Sequence, residues 1–219
     1  MDERFLQIYL VRHGESAANT GDHDPQLEGD YSTPITPNGW KQSIEVGKKI
    51  GHKVFKDSLV YYSPYQRTID TLEAMLEGAE VQKGELILNE DPRLREMDFG
   101  YGDVEAQRKK RPVHGWFFYR FEGGESPADC YDRTSSFLES MMREIERKDI
   151  NKVIIVTHGG TIRCFVMRFL HLTVNDYDKM KNPLNTDIIK IQPTTKAAEG
   201  SEISNRGWTA SGLRWYEEN

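Results

Sequence analysis

Arg12-His13-Gly14 closes the apolar run Ile8-Tyr9-Leu10-Val11 and leads into Glu15-Ser16-Ala17-Ala18-Asn19. Arginine offers a planar fork of donors that matches phosphate oxygens. Histidine is a nitrogen nucleophile that is partly uncharged near neutral pH. Glycine lets the backbone turn tightly and approach a ligand closely. The trio suggests a phosphohistidine enzyme, although three residues alone more often read as a surface arginine beside a capping histidine. Three further segments add to it. Ser63-Pro64 reads as a helix cap followed by proline at the first helical position, which puts Arg67 in the first turn. A cation there opposes the helix dipole, and a bound anion would remove the conflict. Pairing with Asp70 or Glu73 is the alternative.

Val156-Thr157-His158-Gly159-Gly160-Thr161 delivers a second histidine from the most strand-like run, with two glycines opening a helix. Backbone N–H groups at such an opening face a crevice that suits an anion. Leu94-Arg95-Glu96-Met97-Asp98-Phe99-Gly100 supplies carboxyl groups. A carboxyl beside a phosphate holds its proton more tightly, which makes Glu96 a usable general acid. Asp98 is the rival acid in that loop. A surface ion pair of Glu96 with Arg93 or Arg95 is the reading without chemistry.

These groups need a scaffold that gathers strand ends. Strands are expected at Leu6–Val11, Leu59–Tyr62, Glu85–Leu88 and Lys152–Thr157, with further ones at Asp187–Ile191 and within 207–216. Thr36-Pro37 starts a helix that turns Trp40, Ile44, Gly47 and Ile50 to one side. A second runs from Ser63-Pro64 to about Glu77 with Ile69, Leu72 and Leu76 inward. A third follows Ser126-Pro127-Ala128-Asp129, which resembles a capping box, and ends near Lys148. A fourth spans about Gly160–Leu170. Residues 91–125 read as irregular, and 194–206 as a mobile surface segment. The alternation implies an α/β fold with a mostly parallel central sheet and helices on both faces. Open sheets of this kind bind ligands at the C-terminal ends of their strands.

The chain has 219 residues, enough for one domain, and a net charge of −6 that argues against general binding to nucleic acid or anionic membrane. No apolar stretch approaches spanning length. No secretory leader is visible at the N-terminus. Two cysteines, Cys130 and Cys164, lack metal-ligand spacing and read as buried thiols in a reducing compartment. The expectation is a cytoplasmic protein with neither a metal nor another cofactor.

Taken in order, these pieces resemble the histidine phosphatase superfamily, also called phosphoglycerate-mutase-like. The matches are Arg12-His13-Gly14-Glu15-Ser16 with Asn19, Thr36-Pro37-Asn38-Gly39 with Gln42, and Ser63-Pro64 with Arg67-Thr68. They continue in 94–100, Gly124-Glu125-Ser126 and Thr157-His158-Gly159-Gly160, and span residue 8 to about 170. The stretch from Trp116 to Arg133 resembles a narrower branch known from fungi, plants and microbes, mostly phosphatases. The resemblance implies that His13 attacks the phosphoryl group in line. Arg12, Arg67 and His158 would hold its oxygens, with Asn19, Ser16 and Gly159 completing the pocket. Glu96 would protonate the leaving oxygen and later activate water.

It further implies one domain over 1–219, with a variable substrate-capping insertion around 99–125. The substrate would be a small phosphorylated metabolite, and a homodimer is an open alternative. The Gly-Leu-Asn-Lys element of the mutases is absent after Phe99-Gly100-Tyr101-Gly102, and so is the Trp-Glu-Gly of many phosphatases. Hydrolysis is therefore the first reading, mutase-type phosphoryl transfer the second, and a non-catalytic phosphate-binding protein the third. Arg108-Lys109-Lys110-Arg111 reads as a solvated helix face, with contact to a second substrate anion as the alternative. The aromatics of 116–121 read chiefly as packing under a long loop.

Overall fold

The computed structural model describes residues 5–198 and 203–216. Its strands are β1 (Gln7–Arg12), β2 (Leu59–Tyr62), β3 (Leu88–Glu90), β4 (Lys152–Thr157), β5 (Ile188–Pro193), β6 (Ile203–Asn205) and β7 (Trp208–Ser211). They form a single sheet in the order β3-β2-β4-β1-β5-β7-β6. The first four run parallel, whereas β5, β7 and β6 add on antiparallel beside β1. The parallel core expected from the sequence is therefore present and is extended by an antiparallel flank.

The helices are α1 (Ala17–Thr20), α2 (Pro25–Glu28), α3 (Pro37–Ile50), α4 (His52–Lys56), α5 (Gln66–Gly78), α6 (Val104–His114), α7 (Pro127–Lys148), α8 (Gly159–Leu170) and α9 (Val174–Lys179). Strand alternation sorts two cores. Val153 and Ile155 of β4 face Phe137, Met141, Ile162 and Phe165 of α7 and α8. Ile154 and Val156 face Val46, Ile50, Leu72 and Met75 of α3 and α5. With β4 covered on both faces, its unbroken apolar run is accounted for. The chain leaving β1 returns over the α3–α5 face, while the chain leaving β4 returns through α8 on the other. Between these neighbouring strands lies the topological switch, and the crevice opens at their C-terminal ends.

Several local expectations shift. Helix α5 begins at Gln66 with Tyr65 as its cap residue, so Ser63 is not the cap. Thr36 and Ser126 do cap, accepting from the backbone N–H of Gly39 and Asp129. Strand β3 starts at Leu88, three residues after the expected start at Glu85, because Lys83–Glu85 closes a 3-10 turn instead. Within 91–125, α6 forms with Asp103 accepting from the N–H groups of Glu105 and Ala106. That helix is polar almost all round and has no apolar periodicity to betray it. The segment 194–206, expected to be mobile, holds a 3-10 turn and β6, paired to β7; residues 199–202 lie outside the described residues. On α3 the buried positions are Gly39, Ser43, Val46, Gly47 and Ile50, whereas Trp40 and Ile44 are only half-buried.

Close approach of α3 and α5 depends on two glycines. A methyl on Gly47 would overlap the Met75 carbonyl, and one on Gly78 the Ile44 carbonyl. Gly47→Ala is therefore expected to destabilise the fold by about 1–3 kcal/mol despite alanine's better helix propensity. Urea unfolding measures the effect, and an unchanged midpoint would mean that the helices separate freely.

Candidate active site

Parallel pairing places the ends of three strands side by side. Arg12 is opposite Thr157, and Tyr62 opposite Val156, so Arg12-His13, Ser63 and His158 emerge at one rim. Neighbouring strands stand about 4.8 Å apart, close enough for their tips to share one ligand. The imidazoles of His13 and His158 stand 5.3 Å apart between ring centroids. Both are almost wholly buried, at 3% and 0% exposure.

His13 Nδ1 lies 2.8 Å from the Gly14 carbonyl oxygen, which can only accept. The proton therefore sits on Nδ1, and the lone pair on Nε2 is left for an electrophile. Burial pushes the His13 pKa well below the usual histidine value, and the Arg67 and Arg12 guanidiniums push it further down. The buried His158 is likewise held well below it, by desolvation first and then by Arg67 and His13. Both rings stay neutral at pH values where an ordinary histidine is charged.

Gly14 is required where the chain turns under His13, since a Cβ would stand 2.6 Å from the Gly39 carbonyl oxygen. The Gly14 N–H donates to Thr71 Oγ1, and the Thr71 hydroxyl donates to the Arg67 carbonyl oxygen. Glu15 accepts from Thr36 Oγ1 and Asn38 Nδ2 at the start of α3. Asn19 Oδ1 accepts from the Ser16 N–H, the Ser16 hydroxyl and Asn185 Nδ2. Asn185 also donates to the carbonyl oxygens of His13 and Gly14 and so ties down the loop. Sequence reasoning missed Asn185, which lies in a loop without a motif of its own.

The guanidiniums are held differently. Arg12 Nη1 donates to the Pro183 carbonyl oxygen at 2.7 Å, and its buried Nε has no partner among the described residues. Arg67 is bidentate on Asp30, 2.7 Å to Oδ1 and 2.9 Å to Oδ2, rather than paired with Asp70 or Glu73. Asp30 was not expected from the sequence, because a contact between residues 37 positions apart leaves no local signature. Ser63, read as a cap, instead hydrogen-bonds His158 Nε2 at 2.8 Å. His158 Nδ1 is buried and lacks a partner among the described residues. Two unspent nitrogens, Arg12 Nε and His158 Nδ1, thus belong to the side chains beside His13.

Glu96 is in the same place. A Cβ on Gly160 would stand 2.8 Å from Glu96 Oε1, so only glycine lets the carboxyl lie against the first turn of α8. The Met97 N–H donates to that oxygen. Thr157 and Thr161 donate to the carbonyl oxygens of Leu94 and Arg95, pinning the backbone just before it. Neither expected surface pair forms: Arg93 goes to Asp91 and Arg95 to Glu125. The rival, Asp98, is exposed and spends Oδ1 on the Gly100 N–H. Gly159 opens α8 beside Asn182, whose side chain is 3.2 Å from where a Gly159 Cβ would stand.

A groove of about 460 Å³ lies next to Arg67, lined by Asp30, Tyr31, Tyr65, Met97, Phe99 and Tyr101. Cys130 and Cys164 are both buried free thiols. Among the described residues no helix is long and apolar enough to cross a membrane. A neutral nitrogen nucleophile, flanking cations and a nearby carboxyl can together carry out phosphoryl transfer.

Comparison with known proteins gives the same direction. Residues 8–205 match the histidine phosphatase superfamily (branch 1). A phosphoglycerate mutase-like protein of Arabidopsis thaliana is 36% identical over 197 residues, covering 80% of this chain and 70% of its own. A second such Arabidopsis protein is 37% identical over 202 residues, covering 83% and 63%. A broad-range acid phosphatase of Saccharomyces cerevisiae is 35% identical over 113 residues, 48% of this chain and 34% of that one. The chain therefore spans roughly two thirds of the plant relatives and a third of the yeast one. Among solved structures, a mycobacterial glucosyl-3-phosphoglycerate phosphatase with VO3 has a TM-score of 0.68 at 21% identity, covering 96% of this chain and 98% of its own. A match running from the first strand into the terminal hairpin makes this chain a member of the histidine phosphatase superfamily.

Proposed function

We propose that this protein is a phosphomonoesterase that hydrolyses a small phosphorylated metabolite through a phosphohistidine at His13. The observation that carries the reading is a neutral His13, with Nε2 available, among Arg12, Arg67 and His158. His13 Nε2 attacks phosphorus in line, and the ester P–O bond breaks as the leaving oxygen takes the proton of Glu96. Water then gives its proton to the Glu96 carboxylate and attacks the phosphohistidine, the P–N bond breaks, and inorganic phosphate departs. Arg12, Arg67 and His158 hold the equatorial oxygens through both steps, with Ser16, Asn19 and Gly159 shaping the pocket. The body of the substrate lies in the groove beside Tyr65 and Phe99, and residues 99–125 serve as its cap within a single domain. The two free thiols support a reducing, cytoplasmic setting.

Phosphate release from a panel of phosphorylated metabolites tests the reading, with 3-phosphoglycerate isomerisation followed in parallel. Isomerisation without release would make the protein a mutase. His13→Ala is expected to lower turnover by about 10⁴-fold or more with the circular dichroism spectrum unchanged, and retained activity would remove the phosphohistidine. Glu96→Gln should slow alkyl phosphates by about 10²–10⁴-fold and p-nitrophenyl phosphate much less, because nitrophenolate leaves without a proton. Equal losses on both would assign the proton transfer elsewhere.

Asp30 occupies the fork of Arg67 that a phosphoryl group would use. Asp30→Asn is accordingly expected to tighten inhibition by inorganic phosphate by about threefold to tenfold, a modest gain because Asp30 is partly exposed. Weaker inhibition would mean that Asp30 holds Arg67 in its binding pose rather than competing for it.

A further inference from the structure

The groove beside Arg67 has the opposite charge to the phosphoryl cluster that it adjoins. Three carboxylates, Glu28, Asp30 and Asp98, stand along it. Among the described residues that line it there is no lysine, arginine or histidine. The basic run of α6 does not reach it either. Lys109 pairs with Glu105, Lys110 pairs with Glu122, and Arg108 is exposed. Arg111 lies 4.6 Å over the ring of Trp116 and 5.3 Å over that of Phe121. The walls of the groove are aromatic: Tyr31, Phe99 and Tyr101 are exposed, and Tyr65 is half-buried. Ring faces beside carboxylates attract cations and repel anions.

Tyr65 joins the groove to the phosphoryl cluster. Its ring meets that of His158 at 5.2 Å and that of Tyr31 at 5.7 Å, and the Arg67 guanidinium lies 5.0 Å over it. Met97, next to Glu96 in the chain, lines the groove too. Asp30 belongs to both regions, because it holds Arg67 and stands in the lining.

The three carboxylates differ in their commitments. Glu28 accepts from the Asp24 N–H and stands 3.6 Å from His23. Asp98 accepts from the Gly100 N–H through Oδ1 and forms no ion pair among the described residues, since the nearby Arg95 is bound to Glu125. Asp30 is committed to Arg67 only until a phosphoryl group takes that fork. Phosphoryl binding therefore leaves Asp30 as well as Asp98 without a cation. A second anion on the leaving group would face both of them. A neutral leaving group would leave Asp30 unpaired just as Arg67 is taken. A cation removes both costs, because Arg67 passes to the phosphoryl group while the carboxylates take the cation. We propose that the leaving group of the substrate carries an organic ammonium group, seated among the aromatic rings and paired with Asp98 and the released Asp30. The proposal rests on the phosphatase reading and narrows its substrate to a phosphate monoester of an amino or quaternary-ammonium alcohol.

Calorimetric binding of non-hydrolysable probes to the intact protein tests it. Three benzylphosphonates carry aminomethyl, methyl or carboxylate at the para position and so differ chiefly in charge. A short pair, 2-aminoethylphosphonate and propylphosphonate, repeats the comparison over a two-carbon spacer. In at least one spacer length the ammonium probe is expected to bind about fivefold to tenfold more tightly than its neutral partner, and the carboxylate probe is expected to be the weakest of its series. Asp98→Asn keeps an Oδ1 for the Gly100 N–H and should bring the ammonium and neutral probes to within about twofold of one another. Asp30→Asn should lower that ratio as well while favouring inorganic phosphate, opposite signs that a general loss of structure would not produce. Glu139→Gln, on the exposed side of α7, should keep the full ratio. Phosphonate binding with no gain from ammonium at either length would overturn this inference and leave the phosphatase reading standing. So would a gain that survives both Asp98→Asn and Asp30→Asn, or a carboxylate probe that binds best. Failure of every probe and of inorganic phosphate to bind would overturn the two readings together.

Discussion

An uncharged imidazole kept among guanidiniums is the constraint on which the rest of this structure depends. Burial lowers the proton affinity of His13, and Arg67 and Arg12 lower it further. The positive field that keeps the ring neutral is the same field that draws a phosphate dianion. In the proposed reaction, nucleophile availability and substrate affinity would therefore share a cause, added to that of burial. Gathering such groups works against stability, since like charges repel and buried donors without partners cost about 1–3 kcal/mol each. The surrounding fold, not the site, must supply the compensation.

The scaffold answers with strand tips and exact contacts at a few points. Parallel β1, β4 and β2 bring Arg12, His158 and Ser63 to one rim without any loop having to find its way there. Glycine appears where backbone or carboxyl must come closer than a methyl allows: Gly14 under His13 and Gly160 under Glu96. Thr157 and Thr161 grip the backbone just before Glu96, while Arg133 holds Glu125 and the Arg93 carbonyl. A carboxyl on a loop is fixed by hydrogen bonds from the end of β4, from α8 and from α7. Such support is what the proposed proton donor would need to stay aligned through two steps.

What was legible in the sequence was whatever is local. Arg12-His13-Gly14 and His158-Gly159-Gly160 show themselves because a strand, a polar tip and glycine are contiguous, and the structure brings these pieces together with Arg67 and Glu96. The α/β order is equally visible, since buried strands are apolar throughout and capped helices begin with Thr36-Pro37 and Ser126-Pro127. Contacts that join distant segments were not legible. Asp30 on Arg67, Ser63 on His158 and Asn185 beneath His13 each require the fold to exist first. Of helix α6 only the basic run 108–111 was legible, as a solvated helix face, because its side chains are charged on nearly every face. The turn of Arg111 onto the Trp116 and Phe121 rings follows from the phase of that helix, which no motif announces.

In the proposed reaction Asp30 would give the phosphoryl pocket its discrimination. Its carboxylate satisfies Arg67 through two hydrogen bonds and reaches no other donor of the cluster. A small monoanion offers Arg67 little that Asp30 does not already supply, so exchange gains nothing. A phosphoryl group carries three oxygens and more charge. In the proposed reaction it would meet Arg67 together with Arg12 and His158, replacing one paired contact by several. The exchange would favour an anion that spans the whole cluster, and such an anion would bring its phosphorus to His13. Binding and alignment for attack are then selected by the same set of contacts, and an anion that fails at one fails at both.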